Sequence, residues 1–406
     1  MNKPSVTEGA GFIHYSWPDL GLRVEAARYK DDGYTELKFY LKNGAIESLL
    51  HQTRVNVLAT QTMSSLAKRL EKNSSDISWT DVLTYITTKT MEIVRRGEPL
   101  IEIFPNEKAN LQPNYLLEPI IYQSHPNVIF GDYGSLKSMT ALAIAYIVQL
   151  PLNDNVLGLI TSRESSRCLY LDYEDDITSF EKRWGALQKG FGITAAMPIL
   201  YRRMTAPIAD SVEQIRLMVS NKNIKLLIID SLGPGVRGNL NDAEPAVKYH
   251  EALRIIDTTS LTLAHCSKDQ LTKKRSIFGS VFFSNLARSV WEIKSEAEPG
   301  ENEAIISLKQ VKANLSKLCP PLGYKFTFSE NTVSIAKIDL KDTGLSGELP
   351  LSLRIKNLLR HGAMPVKDIA EALDANEASV KTINNRLSKK GHLIKVGNAW
   401  GLKQLT

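Results

Sequence analysis

The sequence predicts an α/β fold organised on a mainly parallel sheet, and three observations predict it. Between residues 126 and 309, short apolar runs without alternation (127–130, 168–171, 199–201, 226–229, 261–264, 290–293 and 305–309) are separated by helical stretches. Such runs mark a sheet covered on both faces, and strands that alternate with helices pair in parallel. The first run opens through Gly131-Asp132-Tyr133-Gly134-Ser135-Leu136-Lys137-Ser138 into an Ala/Leu/Ile-rich helix. That is the setting in which loop N–H groups and a helix dipole hold phosphate. Residues able to do chemistry then fall at the carboxyl ends of the other runs, where open parallel sheets bind ligands.

Composition bounds the rest. A chain of 406 residues, 43% apolar and 23% charged, is expected to form two or three globular domains. No apolar run nears the ~18 residues of a membrane span, and residues 1–20 lack the layout of a signal peptide, so a cytoplasmic protein without membrane contact is expected. Cys168, Cys266 and Cys319 form no C-x-x-C pair, which points to neither a zinc site nor a disulfide framework. The net charge is +6, and residues 351–406 carry ten Lys/Arg against four Asp/Glu, so the tail matches the whole excess. A basic surface confined to one end suggests a polyanionic partner.

In chain order, residues 1–20 read as irregular. Residues 21–30 and 34–42 alternate around Asp31-Asp32-Gly33 as a hairpin, and 53–59 add a strand. Helices follow at 60–72 and 79–96, the second with Ser78 as N-cap and Asp81 three residues on. Residues 1–105 are therefore expected to be an α+β accessory or oligomer-forming domain. A proline-containing connector (98–125) leads into a core at 106–340.

Within that core, Gly131, Gly134, Ser135, Lys137, Ser138 and Met139 are expected to hold ATP. Lys137 would reach the β- and γ-phosphates and Ser138 would bind Mg²⁺. Leu136 stands where the pattern G-x-x-x-x-G-K-[ST] has its second glycine. Cys168-Leu-Tyr-Leu-Asp172-Tyr-Glu174 sets two carboxylates just past a strand. Lys225-Leu-Leu-Ile-Ile-Asp230 has the Walker B form, which places Asp230 on the metal. Leu261-Thr-Leu-Ala-His265-Cys-Ser-Lys268 sets a histidine and a lysine at a third strand end.

Over residues 115–330 these motifs resemble those of the RecA-like ATPases, in particular the hexameric RepA-type helicases of plasmids and phages. The resemblance implies that Glu174 orients the attacking water and that Arg183, nine residues later in Glu-Lys-Arg-Trp, supports the site. It implies that His265 senses the γ-phosphate and that Arg288, in Asn285-Leu-Ala-Arg288-Ser-Val-Trp291, acts on a neighbouring subunit's nucleotide. Phe278-Gly279-Ser280 departs from the family's Arg-Gly-Ser, and His265 lacks the family's preceding histidine. Val311-Lys312-Ala-Asn314 is similar to its Lys-x-Asn strand.

Residues 341–350 read as a linker. Helical stretches at 352–361, 365–373 and 377–390 follow, the last capped by Asn376 and closed by Gly391, with a hairpin around Gly397-Asn398. This order resembles a winged helix-turn-helix over 351–406. The last helix would then offer Ser379, Lys381, Thr382, Asn385, Arg386 and Lys389 to DNA. Lys273, Lys274 and Arg275, within 269–280, are expected to grip single-stranded backbone. The expected whole is an ATP- and Mg²⁺-dependent DNA motor, a homo-oligomeric ring (hexamer) serving as the replicative helicase of a mobile element. An ATP-switched DNA-binding regulator or loader, or a recombination or repair ATPase, remain open from sequence.

Overall fold

The computed structural model describes residues 2–9, 12–30, 32–44, 46–96, 100–104, 112–150, 155–162, 164–267 and 275–403. The chain divides into two compact units, Met1–Ala109 with Glu213–Asn221 and Asn110–Val212 with Lys222–Thr406.

In the first unit, β1 (Ser5–Gly9), β2 (Phe12–Trp17), β3 (Leu22–Ala27), β4 (Tyr34–Asn43) and β5 (Ile46–Asn56) form an antiparallel meander in sequence order. Strict alternation along β2 and β3 buries Ile13, Tyr15 and Trp17 beside Leu22, Val24 and Ala26. That face packs with Leu66 and Leu70 of α1 (Thr60–Glu71) and Trp79, Val82 and Ile86 of α2 (Trp79–Arg96) in one apolar cluster. The expectation of irregular structure over residues 1–20 is thus corrected. The period-two signal runs from Phe12 to Trp17 and stops only where Pro18 opens a single 3-10 turn.

The second unit starts with a hairpin, β6 (Tyr115–Glu118) and β7 (Ile121–Tyr122), and then enters β8 (Pro126–Gly131) and α3 (Lys137–Gln149). Next come β9 (Ile160–Thr161), β10 (Arg167–Asp172), α4 (Ile177–Gly190), β11 (Leu200–Arg203), α5 (Ile208–Lys222, of which Glu213–Asn221 counts with the first unit) and β12 (Ile224–Asp230). The chain continues through α6 (Leu232–Gly235), α7 (Ala243–Ile256), β13 (Thr259–Ser267), β14 (Ser276–Ile277), α8 (Val281–Leu286) and β15 (Ser289–Glu296). The long antiparallel β16 (Glu303–Ala313), β17 (Leu322–Phe328) and β18 (Val333–Ile338) complete one sheet of order β11-β10-β12-β13-β8-β15-β16-β17-β18.

The six strands from β11 to β15 are parallel; the five inner ones are buried runs without alternation, and β11 is the half-exposed edge. α3 is apolar on every side from Ala141 to Val148 and is accordingly buried, with Tyr146 stacked on Trp184 of α4 at 3.6 Å between ring centroids. Register does the rest. Gly131 of β8 pairs with His265 of β13 and Ile293 of β15, Asp230 of β12 with Leu263 of β13, and Asp172 of β10 with Asp230. Parallel pairing therefore sets Gly131, Asp172, Asp230 and His265 in one row along the carboxyl edge of the sheet.

The stretch read as a linker is docked on that sheet. Glu348 accepts from Lys294 of β15 at 2.5 Å and from Lys309 of β16 at 3.3 Å. Beyond it lie α9 (Leu351–Leu358), β19 (Met364–Pro365), α10 (Val366–Ala372), α11 (Glu377–Lys389), β20 (Leu393–Val396) and β21 (Ala399–Leu402), with the strands in the order β19-β21-β20. Ile355, Ile369, Val380, Leu387, Leu393 and Trp400 form their small core. Asn376 caps α11, its Oδ1 accepting from Ala378 N at 2.9 Å and Ser379 N at 3.3 Å. No helix among the described residues is long and apolar enough to cross a membrane.

Candidate active site

β8 delivers the chain to Gly131 and α3 takes it up at Lys137, leaving a five-residue turn between them. A Cβ on Gly131 would overlap the Ile293 carbonyl oxygen, so only glycine lets β8 lie against β15 here. Leu136 takes the left-handed conformation, φ 62° and ψ 26°, which costs an L-residue about 1–2 kcal/mol. The missing glycine is thus a real conformational demand. The Leu136 side chain, however, packs against the core cluster that includes Leu142 and Ile144. Leu136→Gly is accordingly expected to shift the dissociation constant for ATP by less than about threefold, because it trades strain for lost packing without opening the cradle. Leu136→Val, β-branched at positive φ, should cost about 1–3 kcal/mol. A tenfold gain in affinity for the glycine variant, read by nucleotide titration, would place the leucine in the phosphate space instead.

Lys137 is 7% exposed, and its ammonium donates to the carbonyls of Gly131 (3.2 Å) and Asp132 (2.7 Å). Burial lowers its pKa, opposed by Asp230, Glu174, Cys266 and Asp132. Asp230, 4% exposed, accepts from Tyr170 Oη at 2.5 Å, and the Ser138 hydroxyl stands close enough to favour its charged form. Burial raises the Asp230 pKa and these two donors oppose it. The Tyr170 phenol is held well above its ordinary range by burial and by Asp230, so it stays a donor. Tyr170 is a site residue that sequence reasoning passed over, because an aromatic residue within an apolar strand looks like core.

Four acids crowd the turn after β10, and their partners separate them. Asp172 Oδ1 accepts from the backbone of Glu174 and Asp175, both at 3.0 Å, and so folds the turn. Asp176 caps α4 through Thr178 N and Ser179 N. Asp175 pairs with Arg183 at 2.8 Å. Glu174 is left to face the site, where its Oε1 accepts from Ser231 Oγ and lies 3.6 Å from His265 Nε2. Arg183 thus meets Asp175, not Glu174, in this turn.

Of two arginines expected to act away from this chain's own nucleotide, Arg288 does lie away from it and Arg275 lies beside it. Arg288 donates its backbone N–H to Pro126 at the amino end of β8. It stands roughly 16 Å along the strand from Gly131, so it does not join this chain's own site. Arg275, read as a DNA contact, pairs instead with Asp132 of the phosphate loop at 2.5 Å, because the loop carries a carboxylate within its reach. Lys268, Lys273 and Lys274 lie outside the described residues. Lys312 has a structural task, donating to the carbonyls of Ser284, Asn285 and Ala287 at the end of α8. Ser135 is buried and bonds Asp132 O through its hydroxyl at 2.7 Å, and Met139 is core. Lys381, Asn385, Arg386 and Lys389 are all exposed along α11.

These residues fit MgATP. Positive φ at Gly134 and Leu136 curls the loop at the head of α3, where helix N–H groups and dipole favour phosphate. Mg²⁺ takes oxygen ligands, typically one or two from protein and the rest from phosphate and water. The Ser138 hydroxyl and the Asp230 carboxylate beside it are such a pair. Among the described residues no group of three or more His, Cys, Asp or Glu could hold a metal by itself.

A protein-family model described as an AAA domain matches residues 106–270. No curated protein sequence matches the chain. Among solved structures, a KaiC-like protein from the hyperthermophilic archaeon Pyrococcus horikoshii OT3 is similar at 15% identity and a TM-score of 0.37, over 55% of this chain and 95% of that one. The flagellar accessory protein FlaH from Methanocaldococcus jannaschii is similar at 12% identity and a TM-score of 0.36, over 54% of this chain and 91% of that one. The stretch matched by the family model contains the loop, Glu174, Asp230 and His265. Together with the loop-to-helix geometry it supports an ATPase site on an α/β core.

Proposed function

We propose that the chain is an ATP- and Mg²⁺-dependent DNA motor, a helicase of RepA type serving a plasmid or phage and working as a ring of identical copies. The observation that carries the reading is the convergence of Lys137, Ser138, Asp230, Glu174 and His265 on one edge of the sheet. Phosphoryl transfer needs positioning and charge neutralisation more than covalent chemistry, and this set provides both. Lys137 would exchange its loop carbonyls for phosphate oxygens. Ser138 and Asp230 would hold Mg²⁺, which when bound neutralises charge on the β- and γ-phosphates. Glu174, fixed by Ser231 and the Asp172 turn, would orient the attacking water. His265, beside Glu174 and three residues before Lys268, would pass γ-phosphate loss to the residues that follow β13 in sequence, where Lys273 and Lys274 would meet single-stranded DNA. Arg288 of a neighbouring copy would complete the charge balance at the nucleotide.

The exposed basic face of α11 favours a second element of the reading, a winged helix-turn-helix over 351–406. Lys381, Asn385, Arg386 and Lys389 would contact duplex DNA, with β20–β21 as the wing. The same face also suits an ATP-switched regulator or loader that binds duplex and turns over little ATP. Strand separation on a forked DNA with ATP distinguishes the two. Unwinding by the wild type and none by Lys137→Ala is expected. If neither separates strands while both bind duplex equally, the motor reading fails.

A further inference from the structure

We infer that Arg275 is a positioning residue for the phosphate loop, neutralising the carboxylate that Asp132 places beside the nucleotide; this rests on the nucleotide-binding reading above. A loop built to hold a triphosphate gains nothing from an acid of its own, since like charges repel across a half-buried site. In this chain both oxygens of that acid are engaged. Asp132 Oδ2 meets Arg275 Nη1 at 2.5 Å, and Oδ1 accepts from Cys266 Sγ at 2.9 Å. The two partners come from β13 and from the residue just before β14, which pair at Cys266 and Ile277.

The same residue is the hub of the loop. The Asp132 carbonyl accepts from Lys137 Nζ at 2.7 Å and from Ser135 Oγ at 2.7 Å. Where Asp132 sits, Lys137 follows. Arg275 reaches back with Nε to Glu292 at 3.8 Å, a buried carboxylate on β15 whose neighbour Lys294 also lies at 3.8 Å. A guanidinium can face two acids through different nitrogens, whereas an ammonium is a single point of charge. The chain of charges then runs on from Lys294 to Glu348, the last anchor before α9.

A surface ion pair of no consequence predicts something different, namely little change in any property when it is cut. The test is a double-mutant cycle in the full-length chain, with Arg275→Ala, Asp132→Asn and the double variant titrated with a fluorescent ATP analogue and Mg²⁺. Thermal midpoints are read without nucleotide. Arg275→Ala should weaken binding about tenfold, on the scale of one lost ion pair beside the nucleotide, and move the midpoint little. Asp132→Asn should stay within about threefold of wild type, and the double variant should return to that level because the charge needing compensation is gone. Arg275→Lys should fall between, and reads the same pair if Arg275→Ala does not accumulate folded. Unchanged affinity for Arg275→Ala, or a double variant as weak as Arg275→Ala, overturns the inference. Lys137→Ala separates the two levels. If wild type and Lys137→Ala bind the analogue alike, the phosphate-loop reading fails first; if only wild type binds and the cycle is flat, the Arg275 inference alone falls.

Discussion

Glu174→Gln should lower ATP turnover by about 10²–10⁴-fold, the usual loss for a positioned general base, while MgATP affinity changes little. The substitution keeps a carbonyl oxygen for the Ser231 hydroxyl to bond and leaves the Asp172 turn untouched, because that turn is held by backbone N–H groups of Glu174 and Asp175. Only the negative charge and the ability to draw a proton from water are removed. Asp175→Asn is the matched control, since Asp175 pairs with Arg183, whereas Ser231 and His265 meet Glu174. It should retain turnover within a few-fold. Phosphate release under saturating ATP, measured beside nucleotide binding, decides the matter. If Glu174→Gln and Asp175→Asn lose turnover equally, the acid that orients water is another one.

That separation of four neighbouring acids was beyond the sequence, and the reason is instructive. Glu174 could be singled out by its place after an apolar run, as could Asp230 and His265, because a buried strand announces its own end. Parallel register then brings such ends together without further information. What a neighbouring acid bonds to depends on side-chain direction and on strands distant in sequence, so Asp172, Asp175 and Asp176 looked alike. Arg275 illustrates the same gap. Its partner Asp132 is 143 residues away, and no local pattern carries that distance. Among the strands, those buried on both faces were legible, whereas β17 and β18 were not. They extend the sheet in antiparallel order, and the partial alternation from Leu322 to Phe328 and from Val333 to Ile338 lacks the unbroken apolar run that marks the strands before them.

Gly131→Ala should damage fold and function together, and by more than any other single methyl group in the loop. The added carbon would collide with the Ile293 carbonyl oxygen of the paired strand, and would stand 2.6 Å from Ile293 Cγ2 and 2.9 Å from Ser135 Oγ. Backbone cannot rotate away as a side chain can, so either β8 parts from β15 or the loop shifts. Overpacking of this kind costs about 1–3 kcal/mol, which for a body of this size lowers the thermal midpoint by about 2–4 °C per kcal/mol. Nucleotide binding should fall at least tenfold as well, because Lys137 and Ser135 take their positions from this turn. Gly134→Ala isolates the conformational part of the effect. Its Cβ would meet nothing within 4 Å, but φ is 73°, so a cost of about 1–2 kcal/mol without collision is expected. Thermal melts of both variants with and without MgATP give the answer. A Gly131→Ala protein with wild-type midpoint and affinity would mean that β15 does not hold the loop, and that the close approach of β8 to Ile293 has no part in building the site.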